Sequence, residues 1–325
     1  MTTKKLSDYA YYRTGGQCSA LYEPHTIEEL SKILKDLHRA MTPFFILGGG
    51  TNSLVWDEFY PGAVIIFSNM KSIQRVGNSL VCGAGVDNTK IAQTARDGSL
   101  AGVSWMNRLP GQIGATVRMN ARCYGSEISQ VVSSVKAVLP DGTIKHYTPG
   151  DRIFKGYKDT LFMHNGAVIA EATLNLAPGD QNMISDHMKF CEDDRVKKGQ
   201  FVYPTCGCVF KNNYAVGVPS GMLLEHANAK ALNQPTVALN PQHSNFVYNK
   251  GARSADILKF TMDMQELVYK EFGVWMEYEM EILGQLKPEL QKRVKEIRSN
   301  QIVEEKLAPL RSTFQKNDNK MKPET

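Results

Sequence analysis

The sequence predicts an α+β fold, and three observations carry that expectation. Helix, strand and glycine turn follow one another over residues 26–50; short β-like runs fill residues 63–173; helical stretches at 180–197 and 254–272 bracket a loop-rich segment. In the first, Ile27, Leu30, Ile33, Leu34 and Leu37 fall at helical spacing, with Glu28 and Glu29 at the positive end of the helix dipole. The apolar run Phe44–Leu47 follows and ends in Gly48-Gly49-Gly50. Next come Val64–Phe67, Leu80–Ala84, Val131–Leu139 and Val168–Thr173, expected as strands, with turns such as Pro140-Asp141-Gly142 between some of them and one helix near Asn88–Asp97. The helix over 254–272 shows Ile257, Leu258, Phe260, Met264, Leu267 and Val268 along one side, with Ser254 as its expected N-cap. Alternation along Trp275–Ile282 predicts a strand with Glu277, Glu279 and Glu281 on one face. An exposed helix is expected over Glu289–Asn300 and disorder over Asn317–Thr325.

At 325 residues the chain exceeds one small core. The divisions expected are 1–70, 71–178, 179–285 and a polar, basic tail, 286–325. That tail holds ten Lys/Arg and six Asp/Glu, a surplus of +4 within the chain's net +5, so the body is nearly neutral. A neutral body argues against an extended nucleic-acid footprint, which needs Lys and Arg clustered on the fold. No apolar run approaches the roughly 20 residues needed to cross a bilayer, and no signal-peptide apolar region opens the chain, so a cytoplasmic protein without membrane insertion is expected. Six cysteines spread through such a chain read as thiols rather than disulfides. Cys206 and Cys208 make half a zinc site at best, and no metal is expected.

Two segments carry chemistry. In Gly48-Gly49-Gly50-Thr51-Asn52, glycines let backbone N–H groups approach a pyrophosphate, and Thr51 and Asn52 add side-chain donors; a tight turn after a strand is the alternative. The spacing is not that of a Rossmann turn. In Leu109-Pro110-Gly111-Gln112-Ile113-Gly114-Ala115, followed by Met119-Asn120-Ala121 and Cys123-Tyr124-Gly125, glycine-permitted approach is joined by an apolar wall suited to a flat ring.

With Thr14-Gly15-Gly16 and Gly83-Ala84-Gly85-Val86, these motifs fall in the order found in the bacterial enolpyruvyl-UDP-N-acetylglucosamine reductases, flavoproteins of the vanillyl-alcohol-oxidase-like superfamily, which the chain resembles over about residues 8–284. It resembles their shorter, second subclass, since no extra loop separates Tyr157 from Arg195. The resemblance implies a PCMH-like FAD-binding fold built from two subdomains, 1–70 and 71–178, and an α+β substrate domain, 179–285, that closes over the substrate. It implies FAD as cofactor, NADPH as reductant and a UDP-sugar as substrate in peptidoglycan synthesis; the sequence leaves the oligomeric state open, monomer included. Cofactor contacts are implied for Gly48, Gly49, Gly50, Thr51, Asn52, Gly83, Pro110, Gly111, Gly114, Asn120, Tyr124 and Gly125.

The family reaction transfers hydride to an enolpyruvyl ether, and the charge left behind needs a stabiliser and a proton donor. The resemblance implies Cys208 as the donor, in the place of a serine; a thiol with a reference pKa of about 8.5 is a far stronger acid than a hydroxyl. It also implies Glu279 toward the substrate carboxylate. Lys158 stands where the family carries arginine, keeping the charge and losing the planar fork. Arg122 and Arg108, where small residues are usual, are either candidates to take over that role or surface substitutions. Lys211, Asn212 and Arg195 are implied near the diphosphate, with His243 either touching substrate or buried structurally. Asn213 replaces a family proline. The competing readings are a related flavoprotein oxidase or dehydrogenase acting on another sugar or hydroxy acid, and a non-catalytic UDP-sugar-binding homologue.

Overall fold

A computed structural model describes residues 4–321, with side chains to residue 315. The chain forms two compact units. Unit 1 takes Met1–Ala10, Gln17–Thr51 and Phe59–Lys197; unit 2 takes Tyr11–Gly16, Asn52–Glu58 and Lys198–Thr325. Among the described residues no helix is long and apolar enough to cross a membrane.

Unit 1 holds two principal sheets. In the first, β1 (Cys18–Tyr22) and β2 (Phe44–Ile46) both pair in parallel with β3 (Tyr60–Ile65) between them. The crossover helix α1 (Ile27–Arg39) starts where Thr26 accepts the Glu29 N–H at 3.1 Å, and it buries Leu30, Leu34 and Leu37 against Ala63 and Ile65. This places Gly48–Gly50 just past the carboxyl end of a parallel strand, where α/β sheets bind ligands.

The second sheet is antiparallel: β4 (Ile73–Val76), β5 (Ser79–Gly83), β6 (Val132–Val138), β7 (Ile144–Tyr147) and β8 (Val168–Asn175), in the order β7-β6-β8-β5-β4. Helices α2 (Asn88–Asp97), α3 (Ile113–Arg118) and α4 (Gln181–Lys197) cover it, packing Ile91, Val117 and Met188 into one core with Cys82, Val135 and Leu174. The short α3, inside the second glycine motif, was not expected from the sequence. Its single turn and a half is too brief for a periodic signal.

In unit 2, β9 (Val237–Asn240) and β10 (His243–Asn249) form a hairpin, α5 (Ser220–His226) and α6 (Ser254–Phe272) pack on it, and β11 (Glu281–Leu283) pairs in parallel with Ser53–Val55. Three expectations change here. Ser254 is the first helical residue rather than the N-cap: its N–H donates to Asp57 Oδ2 at 2.6 Å and its Oγ accepts from Asp57 N at 3.0 Å, so Asp57 serves the helix start. Asp57 Oδ1 also accepts from Gly15 N at 2.9 Å, which ties in the Thr14-Gly15-Gly16 motif.

The strand expected over 275–282 is regular only from Glu281. The Val209 carbonyl accepts from both Glu279 N (2.8 Å) and Met280 N (3.1 Å), and this irregularity breaks the alternation that was to align Glu277, Glu279 and Glu281. The tail, thirdly, is seated on the core in its second half. The helix expected over 289–300 is confined to α7 (Pro288–Val294), while α8 (Glu304–Met321) buries Leu307 and Leu310 in the core of unit 2. Of the segment Asn317–Thr325 expected to be disordered, residues 317–321 continue α8 and 322–325 lie outside the described residues.

Candidate active site

The two glycine motifs of unit 1 lie against each other. Thr51 Oγ1 donates to the Pro110 carbonyl at 3.3 Å, and a Cβ on Gly49 would stand 3.7 Å from the Gly111 Cα. Gly111, at φ +125°, takes a backbone conformation that side chains rarely adopt. A Cβ on Gly48 would face Gln112 Oε1 at 3.4 Å, and one on Gly111 would face Asn88 Nδ2 at 3.5 Å.

Those two side-chain atoms are buried with no hydrogen-bond partner, as is Asn120 Oδ1. Asn88 Oδ1 is already taken by the Thr116 hydroxyl at 2.9 Å, which turns its amide N–H₂ to the loop, and Asn120 Nδ2 donates to the Gly156 carbonyl at 3.1 Å. Buried polar atoms left unsatisfied are costly. Gln112 Oε1 and Asn88 Nδ2, unsatisfied beside the glycine backbone, fit a bound group rich in both donors and acceptors, as a flavin dinucleotide is. Asn88 and Gln112 were not singled out from the sequence, although Gln112 stands inside the quoted motif.

Other implied contacts have structural explanations. A Cβ on Gly83 would stand 2.6 Å from the Met70 carbonyl, and one on Gly114 2.9 Å from the Ala84 Cβ, so both glycines are required by close backbone packing. Gly125 is open, with nothing within 4 Å of a Cβ there. Tyr124 Oη donates to Asp194 Oδ2 at 2.8 Å, and burial followed by that bond raises its pKa.

Arg195 departs from the substrate contact implied for it. It is only 2% exposed, and its guanidinium donates to the carbonyls of Asn107 (2.7 Å), Trp105 (3.0 Å) and Cys191 (3.3 Å) and to Cys123 Sγ (3.2 Å) while stacking on Tyr124. A helix-borne cation thus fixes the chain on either side of the second glycine motif. Burial pushes the Cys123 thiol up to about 11, against the lowering effect of the Arg195 charge and, more weakly, of Lys158.

Lys158 sits between the paired segments Phe154–Gly156 and Asp159–Thr160, at φ +53° and 9% exposed. Its neighbour Tyr157 carries the exposed Arg122 guanidinium 4.3 Å from its ring centre. Arg108 instead lies in a surface pair with Glu192 at 3.6 Å, nearly half exposed on both sides.

In unit 2 the Cys208–Phe210 segment is held from both edges. On one, Cys208 bridges to Phe246, Val209 N donates to the Asn245 carbonyl (2.9 Å), and the Asn245 side chain takes both the N–H and the C=O of Phe210, at 3.0 and 2.8 Å. On the other, Phe210 bridges to Tyr278 and Glu279 N donates to the Val209 carbonyl. The Glu279 carbonyl accepts from Asn52 Nδ2 at 2.9 Å, so Asn52 is committed within unit 2 to the glutamate segment.

Cys206 is fully buried beside this pair: burial first, then the charges of Cys208 and, more weakly, Glu279, push its thiol up. Lys211 Nζ lies 3.9 Å from Glu277 Oε2, and Asn212 Oδ1 accepts from Ser220 N at 2.9 Å. The His243 ring lies against that of Phe246, tilted by 40° with ring centres 4.4 Å apart, at the start of β10. No disulfide links the described cysteines, and no group of three His, Cys, Asp or Glu suited to a metal occurs among the described residues.

Comparison with known proteins bears on the whole arrangement. Residues 18–148 match the FAD binding domain family, and residues 198–283 match the C-terminal domain of UDP-N-acetylenolpyruvoylglucosamine reductase. The chain is 33% identical to the UDP-N-acetylenolpyruvoylglucosamine reductase of Treponema denticola, over 86% of this chain and 92% of that one. With the enzyme of that name from Clostridium tetani it shares 31% identity, over 87% and 92%.

The chain belongs to the UDP-N-acetylenolpyruvoylglucosamine reductase family. The solved structure of the family's enzyme from Thermus caldophilus matches with a TM-score of 0.72 and 28% identity, covering 86% of this chain and 97% of that one. Family membership makes the chain an FAD-dependent oxidoreductase with a PCMH-like flavin domain and a family-specific C-terminal domain. α7 and α8 lie beyond the matched C-terminal domain.

Proposed function

We propose that this chain reduces UDP-N-acetylglucosamine enolpyruvate to UDP-N-acetylmuramate with NADPH, in the cytoplasm, as a step of peptidoglycan synthesis. The observation that carries the reading is the backbone pairing of the Cys208 and Glu279 segments, because an acid and a carboxylate-binding group must serve adjacent atoms of one small substrate. FAD, when bound, would supply the hydride chemistry between NADPH and the terminal carbon of the enolpyruvyl ether. Gly48–Thr51, Pro110, Gly111, Asn88, Gln112 and Asn120 would hold it.

Cys208 donates the thiol proton to the carbon next to the carboxylate, and water restores that proton afterwards. The protonated form of Glu279 donates a hydrogen bond to the substrate carboxylate. Lys158 offsets the enolate charge as a point charge, and Arg122, aligned by Tyr157, supplies the planar donors that Lys158 lacks. Lys211 neutralises the diphosphate. Arg195 holds the flavin-side loops and does not touch substrate.

Anaerobic stopped-flow absorbance tests the reading. The flavin of the purified protein should bleach with NADPH and recover its absorbance when the enolpyruvyl substrate is added. Bleaching without recovery overturns the reading.

A further inference from the structure

The C-terminal helix α8, outside the matched family domain, reaches the loop that follows Lys211 and Asn212 within unit 2. Arg311 Nε donates to the Val216 carbonyl at 2.7 Å, and Arg311 Nη1 is held by Glu304 Oε2 at 2.6 Å. The Arg311 stem runs over Gly217, whose φ of +74° permits the turn; a Cβ there would stand 3.6 Å from the stem. Val216 and Val218 are buried in the same core as Leu307 and Leu310 of α8.

Besides this contact and the burial of Val216 and Val218, the loop carries local hydrogen bonds. Val216 N donates to the Asn213 carbonyl at 3.0 Å, Gly217 N to the Tyr214 carbonyl at 3.1 Å, and Ala215 N to Asn213 Oδ1 at 3.1 Å. Asn213 has no ring to fix its φ. At the far end Ser220 closes the loop on the ligand residues themselves: its Oγ donates to the Lys211 carbonyl at 2.6 Å and its N–H to Asn212 Oδ1 at 2.9 Å. The backbone that aims Lys211 is therefore strapped by Ser220 where the two ends of the loop meet and by Arg311 at its middle.

We infer that Arg311 is a positioning residue for the UDP-diphosphate part of the substrate, making α8 a strap that pre-orders the 211–220 loop. The inference rests on the function proposed above. A pre-ordered loop loses less conformational freedom when the nucleotide binds, so the strap acts on substrate affinity and not on hydride or proton transfer.

The test is Arg311→Met in the flavin-loaded enzyme, which keeps an apolar stem over Gly217 and removes the donor. KM for the enolpyruvyl substrate should rise about threefold to tenfold, the usual worth of one charge-assisted hydrogen bond partly expressed in binding, with kcat and flavin reduction by NADPH unchanged. Hydrogen exchange at the Val216 and Gly217 amides should quicken in the variant, and UDP should slow it again. An unchanged KM, or exchange that does not respond, overturns the inference. Glu304→Gln, milder for folding, should shift KM the same way by a smaller factor if Arg311→Met does not fold, and no shift there also overturns it. Should the wild-type flavin fail to be reoxidised by the enolpyruvyl substrate, the proposed function falls, while the exchange response to UDP still decides whether the strap exists.

Discussion

Cys208 and Lys158 are the two residues proposed to act where the resemblance implies a serine and an arginine, and the backbone holds them in different ways. Cys208 is part of an extended segment bonded along both edges, with Asn245 and Phe246 on one and Tyr278 and Glu279 on the other. Lys158 occupies a tight turn at φ +53°, a left-handed conformation that costs any residue other than glycine about 1 kcal/mol. Where both edges fix the chain, sulfur can replace oxygen with little displacement, and the thiol is the better acid. At a turn, the charge is carried by a flexible stem, and its placement depends on neighbours such as Tyr157 and Arg122. The replacement at 208 is conservative in geometry; the one at 158 is conservative only in charge.

The largest effect should come from the fixed position. Cys208→Ala should slow reoxidation of the reduced flavin by the enolpyruvyl substrate by about 10²–10⁴-fold, the usual worth of a positioned general acid, with reduction by NADPH intact. Cys208→Ser should retain part of the rate, because the backbone delivers either atom to the same place. Equal loss in both variants would break the comparison. At the turn, Lys158→Ala should lower kcat by about 30-fold to 100-fold, and Lys158→Arg should equal or exceed the parent in kcat/KM.

Arg122→Ala should cost less, about threefold to tenfold in kcat/KM, since an exposed guanidinium contributes through a screened interaction. Its distinguishing sign is in binding. UDP-N-acetylmuramate, which carries the carboxylate, should bind more weakly to the variant in a flavin difference spectrum, and UDP-N-acetylglucosamine should not. In the Lys158→Arg background the Arg122 substitution should lose most of its effect, because the fork is restored at 158.

Much of this was legible before the structure. Helices with strong periodicity, such as α1 and α6, lie within a residue of where the sequence puts them, since burial of one apolar face decides them. The glycine motifs were legible as a set, but not which glycine does what: Gly83 and Gly114 answer to Met70 and Ala84, partners distant in sequence. The burial of Arg195 is not legible, because chain position does not reveal it. Its helix offers a weak amphipathic pattern, and only the tertiary fold brings three carbonyls to one guanidinium. The seating of α8 is not legible, because the tail's charge count hides Leu307 and Leu310, two apolar residues enough to seat a helix on a core.

The smallest effect concerns the surroundings of Lys158 through Cys123. Burial raises that thiol from 9.0 to about 11 in the folded protein, so the native state holds its proton more tightly than the unfolded chain does. Stability is then complete below pH 9 and falls as pH rises toward 11, by up to about 3 kcal/mol for a shift of this size. Replacing Lys158 by Met removes one of the charges that favour the thiolate, so the folded pKa should rise and the alkaline loss should extend to higher pH. Cys123→Ala should flatten that part of the profile, at the cost of the contact Arg195 makes with the sulfur. Urea unfolding of the three proteins at pH 7, 9 and 10.5 measures this. A Cys123→Ala profile as steep as the parent's would show that other buried thiols, Cys82 with its pKa pushed up to about 12 among them, govern the alkaline limb, and that the turn at Lys158 has no electrostatic hold on the core beneath it.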